Sequence, residues 1–290
     1  MRRLAVQVLC AFWVVAAAAQ APQGHLVLIG GGERPREAME KFVELAGGPA
    51  ALILLLPTAS EDPDYIQALL KSFAKDYGCR NVKLLNVHKP PDALRQDYVE
   101  LANRAGGIFF SGGDQTRIVT ALKDSPLLAA IRGAYQRGAV IGGTSAGTAC
   151  MSPLMITGEG NFDVVQKGAV ELWPGLGLFP QVILDQHFLA RRRFNRLLSA
   201  VLENRQLLGI GIDEDTAVWL RPDGTFQVLG RSNVLVVDAA AAKITLRPGE
   251  DQRSQLFSAE AVRLFLLAAG DRFDLARRTP LPATGEAIQP

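Results

Sequence analysis

Short apolar runs alternate with amphipathic stretches over the first half of the chain. The runs are continuous, as expected of strands buried on both faces of a parallel sheet, and the stretches between them repeat apolar residues at helical spacing. The predicted strands are 25–29, 51–56, 82–87, 107–110 and 139–141, and the predicted helices are 36–46, 65–77, 94–104, 115–123 and 127–136. This alternation indicates an α/β fold with a right-handed, doubly wound, mostly parallel sheet.

The second half of the chain loses this regular alternation and becomes richer in strand patterns. The pattern predicts a turn-rich link, a strand, a helix, a β-rich segment with an Asp-Gly hairpin turn, another helix and a Pro-rich tail. These segments are 173–178, 181–184, 191–203, 208 onward, 259–269 and 279–290. We therefore expect a β-rich C-terminal part.

Composition is that of a globular protein. The chain has 290 residues, of which 48% are hydrophobic and 21% are charged, so it can bury a core and is too apolar to be disordered. Its net charge of +2 gives no reason to expect nucleic acid or a membrane surface as a partner. We assign residues 24–275 to a single α/β domain and 279–290 to a loose tail.

The N-terminal residues have the composition of a secretory signal peptide. Arg2 and Arg3 precede an apolar run that ends in alanines, with a cleavage position near Ala19. The run is short for a stable membrane span, and an N-terminal anchor is the alternative. The paired arginines also allow a twin-arginine export route. We expect residues 1–19 to be removed and the mature protein to be secreted or periplasmic, without membrane association.

No cofactor and no metal site are expected. The glycines at 30–32 follow the first strand, but the dinucleotide-binding fingerprint needs a further glycine where Pro35 stands. The histidines and cysteines do not have the spacing of a metal cluster. The sequence therefore gives no indication that the chemistry depends on a bound cofactor or metal ion.

Cysteine usage leaves one question open. Cys10 lies in the leader, so Cys79 and Cys150 are the cysteines of the mature protein. They could pair in an oxidising compartment. The apolar surroundings of Cys150 favour a small core residue instead.

Residues 139–151 contain the strongest candidate for chemistry. Gly143-x-Ser145-x-Gly147 is the G-x-S-x-G pattern, in which a sharp strand-to-helix turn exposes a serine hydroxyl. The glycines leave room for the turn and for close approach of a substrate. We predict Ser145 as a nucleophile. The alternative is a glycine-rich turn without chemistry, or one that binds an anion on helix N-terminal amides.

A serine nucleophile needs a base, which is usually histidine. His25 lies at the mature N-terminus and His88 lies in a Lys-Pro-Pro loop, whereas His187 follows an apolar strand. Because strand ends of an open α/β sheet converge on one site, we predict His187 as the base. A histidine buried in the core is the alternative.

Three acids compete to orient this base. Asp213, Glu214 and Asp215 follow a hydrophobic strand, and strand alternation alone does not select the face. The order serine, histidine, acid differs from that of α/β-hydrolases. An oxyanion hole needs two backbone N–H groups. Ala146 supplies one candidate, and the glycine turn 111–115 supplies the second, for which we choose Gly113.

Four stretches together resemble one known family. They are 109–115, 142–147, 185–188 with the arginines that follow, and 209–214, in unbroken order within 26–239. In these stretches the chain is similar to the cyanophycinases, serine peptidases related to aspartyl dipeptidase (dipeptidase E). The resemblance implies a flavodoxin-like α/β sandwich akin to class I glutamine amidotransferases, usually a homodimer. It also implies Ser145 as nucleophile, His187 as base and Glu214 as the third triad member.

The substrate of that family is cyanophycin, a poly-aspartate with arginine amide-linked to each β-carboxyl, which is cleaved to β-Asp-Arg dipeptides. Each branch carries a guanidinium and a free carboxylate, so its site needs acceptors and cations together. In the family, the matching Gln and Arg positions line the cleft. The candidate acceptors are Asp114, Gln115, Asp185 and Gln186, and the candidate carboxylate ligands are Arg191, Arg193 and Arg196. A solvated helix start is the alternative for the arginines at 191–193.

Two other functions fit the same residues. A dipeptidase-E-like enzyme would keep Ser145 and His187 but would cut short aspartyl or isoaspartyl peptides. A non-catalytic protein would use the glycine-rich rim to bind a ligand. The leader departs from cyanophycinases that act on a cell's own polymer and resembles secreted relatives that digest external polymer. We therefore expect an exported serine peptidase that acts on cyanophycin.

Overall fold

The computed structural model of the protein describes residues 22–249 and 254–282. The predicted signal peptide at 1–19 lies outside the described residues, as does most of the predicted tail. Within the described part of the chain, no helix combines the length and the apolar character that a membrane span requires.

The secondary structure follows the predicted alternation through the first half of the chain. The strands are β1 (Leu26–Ile29), β2 (Ile53–Leu56), β3 (Val82–Leu84), β4 (Gly107–Phe110), β5 (Val140–Thr144), β6 (Leu154–Gly160), β7 (Val170–Pro174), β8 (Val182–Gln186), β9 (Leu208–Ile212), β10 (Thr216–Leu220), β11 (Thr225–Gly230), β12 (Val234–Asp238), β13 (Lys243–Pro248), β14 (Gln255–Glu260), β15 (Arg263–Leu267), β16 (Arg272–Asp274) and β17 (Thr279–Pro280). The helices are α1 (Arg36–Leu45), α2 (Pro63–Lys75), α3 (Gln96–Arg104), α4 (Gln115–Leu122), α5 (Pro126–Gln136), α6 (Ala146–Ala149) and α7 (Phe194–Glu203), with a 3-10 helix at Pro90–Leu94.

The larger sheet has nine strands in the order β17-β16-β11-β10-β1-β5-β4-β2-β3. Strands β1 to β5 are mutually parallel, and β10, β11, β16 and β17 extend the sheet in antiparallel fashion. Alternation along β1 sends Leu26 and Leu28 into one core and Val27 and Ile29 into the other. The α/β class and the β-rich C-terminal part are confirmed.

Helices cover both faces of this sheet, as a doubly wound fold requires. On one face, α1 and α2 bring Phe42 and Phe73 against Phe109 of β4, with ring centroids 5.4 and 5.5 Å apart. On the other face, α3, α4, α5 and α6 pack over the larger core. The carboxyl ends of β1, β4 and β5 are thereby left open for a site.

A second sheet of four strands, in the order β15-β12-β9-β8, packs beside the first. Leu184 and Ile210 of β8 and β9 point into the core shared with the larger sheet, whereas Ile183 packs with Leu197 and Val201 of α7. The strands before His187 and Glu214 are thus not in the sheet that holds the nucleophile strand. Our expectation that one open sheet would supply all three groups is wrong, because two sheets contribute.

The predicted helix at 259–269 is wrong. These residues form the end of β14 and all of β15, which pairs with β12 in antiparallel fashion. Phe265 packs on Phe273 with ring centroids 5.5 Å apart, whereas its neighbours Leu264 and Leu266 are exposed. This period of two fits a strand, and pairing with a distant strand overrides helix propensity.

Two further segments differ from prediction. The predicted link at 173–178 begins inside β7, which pairs with β6 as a hairpin. Thr279 and Pro280, which we placed in a loose tail, pair with β16 as β17. Cys79 and Cys150 are both buried and unpaired, which confirms Cys150 as a core residue and answers the question of pairing.

Candidate active site

The turn that carries Ser145, the predicted nucleophile, connects β5 to α6. Ser145 has φ +52° and ψ −112°, a strained conformation for a residue other than glycine. A Cβ on Gly143 would lie 2.3 Å from the carbonyl oxygen of Gly147, and a Cβ on Gly147 would lie 2.3 Å from that of Phe110. Both glycines of the G-x-S-x-G pattern are therefore required by the backbone itself.

His187 follows β8 and meets the serine. Its Nε2 lies 2.8 Å from Ser145 Oγ, and its backbone N–H donates to the carbonyl of Gly30 at 2.7 Å. Gly31 makes room for the ring, since a Cβ there would lie 2.2 Å from His187 Cε1. The imidazole is thus packed between the second sheet and the loop after β1.

Glu214 completes the chain of hydrogen bonds. Its Oε1 lies 2.5 Å from His187 Nδ1 and 4.0 Å from Nε of Arg191. A carboxylate at Nδ1 favours the tautomer whose Nε2 can accept a proton from serine. The three predicted groups are brought together, although they come from three distant parts of the sequence.

The two neighbouring acids face elsewhere. Asp213 accepts hydrogen bonds from the backbone N–H groups of Leu189 and Ala190, both at 2.9 Å. Burial opposes ionisation of Asp213, but these hydrogen bonds outweigh it and hold the pKa below its ordinary value. Asp215 bonds to Arg231 at 2.6 Å. The structure therefore selects Glu214 from the three acids that the sequence left open.

Burial controls the protonation of the imidazole. Loss of water around His187 lowers its pKa below 6.5, against the opposing effect of the hydrogen bond to Glu214. The charge of Arg191 lowers the pKa further. A neutral imidazole at neutral pH is the form that can take the proton of Ser145 Oγ.

The glycine turn after β4 lies beside the nucleophile. Gly112, Gly113 and Tyr65 line a cleft of about 340 Å³ together with Ser145 and His187. The backbone N–H of Gly112 donates to the hydroxyl of Tyr65 at 3.2 Å.

Of the two predicted oxyanion donors, Gly113 lines this cleft and Ala146 lies at the start of a helix. Ala146 is the first residue of α6, directly after Ser145. The first N–H groups of a helix have no partner within the helix, so they are available to an oxyanion.

Asp114 and Gln115 begin α4 at the same edge. Asp114 is the N-cap of this helix and accepts from Thr116 N–H at 2.8 Å. Gln115 is buried, and its amide nitrogen donates to the carbonyls of Ile156 and Thr157 at 2.9 and 2.7 Å. These bonds fix the orientation of Gln115 and tie α4 to β6.

Asp185 and Arg196 were predicted to contact substrate, and the structure corrects this. The two side chains are 1% and 4% exposed and form a two-bonded ion pair, with Arg196 Nε donating to Asp185 Oδ2 at 2.8 Å. Asp185 also accepts from the backbone N–H of Gln186 at 2.8 Å. Each group satisfies the other, so neither is free for a ligand.

The remaining predicted residues are Gln186, Arg193 and Arg191. Gln186 Oε1 accepts from Ser145 Oγ at 3.3 Å. Arg193 Nη1 donates to the carbonyl of Gln186 at 2.6 Å, and burial lowers its pKa to about 10. Arg191 is exposed beside Glu214. Residues 191–193 directly precede α7. The alternative of a solvated helix start fits the exposed Arg191 but not the half-buried Arg193.

Comparison with known proteins identifies the family of this site. The sequence profile of peptidase family S51 matches residues 26–228. The chain belongs to peptidase family S51. It is a serine peptidase, and the resemblance carried by its motifs is confirmed.

Curated relatives of this S51 peptidase are cyanophycinases. The one from Synechococcus elongatus is 38% identical over 257 residues, covering 87% of this chain and 80% of the relative. That from Nostoc sp. is 37% identical over 268 residues, covering 91% and 90%. That from Geminocystis herdmanii is 36% identical over 267 residues, covering 91% and 97%.

Two solved structures share the fold of the S51 peptidase. A peptidase from an acI-B1 Actinobacterium superposes with a TM-score of 0.65 at 24% identity, covering 88% of this chain and 98% of the other. A putative peptidase E protein from Listeria monocytogenes EGD-e gives a TM-score of 0.51 at 19% identity, covering 72% and 99%. At these identities the likeness concerns the fold.

Sequence reasoning missed part of the S51 site. Arg34, Ser60 and Tyr65 line the same cleft as Ser145, and none was a candidate. Arg34 and Ser60 lie just past the carboxyl ends of β1 and β2, and Tyr65 lies in the first turn of α2. The rule that ligands bind beyond the carboxyl ends of parallel strands could have found them.

Proposed function

We propose that this S51 peptidase is an exported cyanophycinase that releases β-Asp-Arg dipeptides through an acyl-enzyme on Ser145. The observation that carries the proposal is the continuous hydrogen-bonded path from Ser145 Oγ through His187 to Glu214. The identity of 36–38% to cyanophycinases over most of the chain supports the choice of substrate.

In the proposed reaction, Ser145 Oγ attacks the scissile carbonyl carbon while His187 Nε2 takes the hydroxyl proton. Glu214 stabilises the imidazolium that forms, and the N–H groups of Ala146 and Gly113 bind the oxyanion. Collapse of the tetrahedral intermediate breaks the C–N bond, and His187 gives its proton to the leaving amine. Water then attacks the acyl ester by the same route and regenerates the serine.

The charges around the cleft support a substrate with carboxylates and guanidinium groups. We infer that Arg191 and Arg193 bind substrate carboxylates, and that Gln186, whose Oε1 lies 3.3 Å from Ser145 Oγ, acts as an acceptor together with Asp114 and Gln115 at the start of α4. Because Asp185 and Arg196 neutralise each other, they act by holding the end of β8 rather than by binding substrate.

We test the reaction with purified mature protein, cyanophycin granules, and aspartyl and isoaspartyl dipeptides. We expect granule clearing with a product of the mass of Asp-Arg, and a loss of at least about 10⁴-fold in Ser145→Ala. Ser72→Ala, in α2 and outside the residues that line the cleft, is the matched control. Turnover of dipeptides alone would support a dipeptidase-E-like enzyme, and inertness toward all substrates would support a non-catalytic binding protein.

Export and assembly are part of the same proposal. The basic and apolar composition of residues 1–19 supports cleavage near Ala19. N-terminal sequencing of protein from the culture medium or periplasm tests it, and recovery of the intact leader in the cytoplasm would contradict it. A homodimer, the usual state implied by the family resemblance, is tested by light scattering of the mature protein.

A further inference from the structure

One wall of the cleft is rich in hydrogen-bond donors and has no role in the proposed triad chemistry. Arg34, Ser60 and Tyr65 belong to this wall, and they share the cleft with Ser145 and His187. They come from the loops after β1 and β2 and from the start of α2. We refer to these three residues as the donor wall.

Both hydroxyl groups of the donor wall already accept a hydrogen bond. Tyr65 Oη accepts from the backbone N–H of Gly112, and Ser60 Oγ accepts from that of Asp62, each at 3.2 Å. In the described part of the chain, neither hydroxyl donates to an acceptor. A hydroxyl carries one proton, so each group has that proton available for a ligand.

Arg34 supplies a positive charge that its surroundings leave unpaired. It is half-buried, and among the described residues its guanidinium forms no salt bridge or hydrogen bond. The nearby cations differ, because Arg36 pairs with Glu40 at 2.7 Å and Arg231 pairs with Asp215 at 2.6 Å. An unpaired, partly desolvated guanidinium beside a nucleophile favours an anionic ligand.

Tyr65 brings the donor wall close to Ser145. The position of a Cβ on Gly112 would be 3.4 Å from Tyr65 Oη and 3.5 Å from Ser145 Cβ, so both groups flank the same point. Asp62 also lines the cleft, but its carboxylate caps α2 by accepting from the N–H groups of Asp64 and Tyr65. Asp62 Oδ1 thus caps the helix, whereas the hydroxyl protons and the guanidinium of the donor wall have no acceptor among the described residues.

We propose that Arg34, Ser60 and Tyr65 form a carboxylate subsite, in which the guanidinium and both hydroxyls donate to one free carboxylate of a bound acidic peptide. A carboxylate accepts about four hydrogen bonds, which matches this set of donors. The inference rests on the proposed function for its substrate. Cyanophycin offers two such groups, the carboxylate at the chain end and the α-carboxylate of each arginine branch.

Binding is measured first, in a Ser145→Ala background that removes hydrolysis. Calorimetry compares a short Asp-Arg oligomer with the same oligomer carrying a C-terminal amide and with one whose branches are agmatine, which lacks the carboxylate. We expect one of the two modified oligomers to bind at least about tenfold more weakly, identifying the source of the carboxylate. Arg34→Gln should weaken the unmodified oligomer by a similar factor and leave the weakened oligomer unchanged.

Arg36→Gln is the matched control, since it removes the same charge two residues away, at an exposed side chain outside the cleft. Tyr65→Phe and Ser60→Ala should each give a smaller loss than Arg34→Gln. Equal binding of all three oligomers, or an equal effect of Arg34→Gln on all of them, would overturn the subsite. Hydrolysis by the unmutated protein is scored separately. Carboxylate-dependent binding without any hydrolysis would overturn the proposed function and leave the subsite standing.

Discussion

Two residues of the candidate triad have backbone conformations that side chains seldom adopt. Ser145 has φ +52° and His187 has φ +50°, and each such residue costs about 1–3 kcal/mol. The backbone N–H of Ser145 donates to Ile29 and that of His187 donates to Gly30, at 3.0 and 2.7 Å. Adjacent carbonyls at the end of β1 therefore hold the backbones of both residues in place before a substrate arrives.

The lowered pKa of His187 predicts the pH dependence of the reaction. The neutral imidazole is required, and it is present above the pKa and lost as the pH falls through it. Because burial lowers that pKa, the acid limb of kcat/KM should have its midpoint below 6.5. A pH profile of kcat/KM for the unmutated enzyme checks this, and a midpoint above 6.5 contradicts it.

Glu214→Gln extends this prediction. The hydrogen bond that His187 Nδ1 donates to Glu214 raises the pKa of His187, so its loss should move the acid limb to still lower pH. The amide also no longer stabilises the imidazolium, so kcat should fall by up to about 10⁴-fold. Asp215→Asn is the control, because Asp215 bonds to Arg231 and to the backbone N–H of Glu33 rather than to the imidazole.

At the scale of elements, the end of β8 depends on a buried ion pair. Arg196 of α7 neutralises Asp185, directly before Gln186 and His187. Arg196→Gln would remove the closer cation from this buried carboxylate and leave Arg193 Nη1 at 3.8 Å from it, so we expect a loss of up to about 3–5 kcal/mol in the free energy of unfolding. Urea unfolding measures it.

The control for this pair is the exposed pair between Arg36 and Glu40, where Arg36→Gln should cost no more than about 1 kcal/mol. The double variant Asp185→Asn with Arg196→Gln should be more stable than the sum of the single losses implies, because neither charge is then left alone. Strict additivity would show that the two residues do not act as a pair.

Hydrophobic patterning predicted the elements of the parallel part well, because strands buried on both faces, such as β2, leave a continuous aliphatic run. It failed at 259–269, where pairing with β12 and contact with Phe273 decide the structure. The segment itself contains neither partner. The strand assignment there depends on residues outside the segment.

The candidate site was likewise predictable from the sequence only in part. Residue type and position after a strand were enough to find Ser145 and His187, and the family resemblance selected Glu214. The sequence also shows that Asp185 and Arg196 are charged, but not that they face each other at a spacing of eleven residues. Partners across elements, including Tyr65 and Gly112, become visible only when the chain is folded.

At the scale of the whole molecule, the C-terminal strands close one end of the larger sheet. Phe273 of β16 is fully buried and stacks on Phe226 with ring centroids 5.4 Å apart. Phe273→Ala should lower the free energy of unfolding by about 3–5 kcal/mol through the cavity it leaves. Thermal unfolding measures this, with Leu266→Ala, at a side chain 62% exposed, as a control of small effect. Equal losses of unfolding free energy in the two variants would show that Phe273 does not contribute to the core.

Ser145 follows a strand of the larger sheet, whereas His187 and Glu214 follow strands of the smaller one. Side chains packed between them, among them Met151 and Leu184, therefore set the spacing of the proton transfer. We therefore expect a change of side-chain volume there to lower turnover in a protein that still folds, because it would alter the 2.8 Å distance between Ser145 Oγ and His187 Nε2.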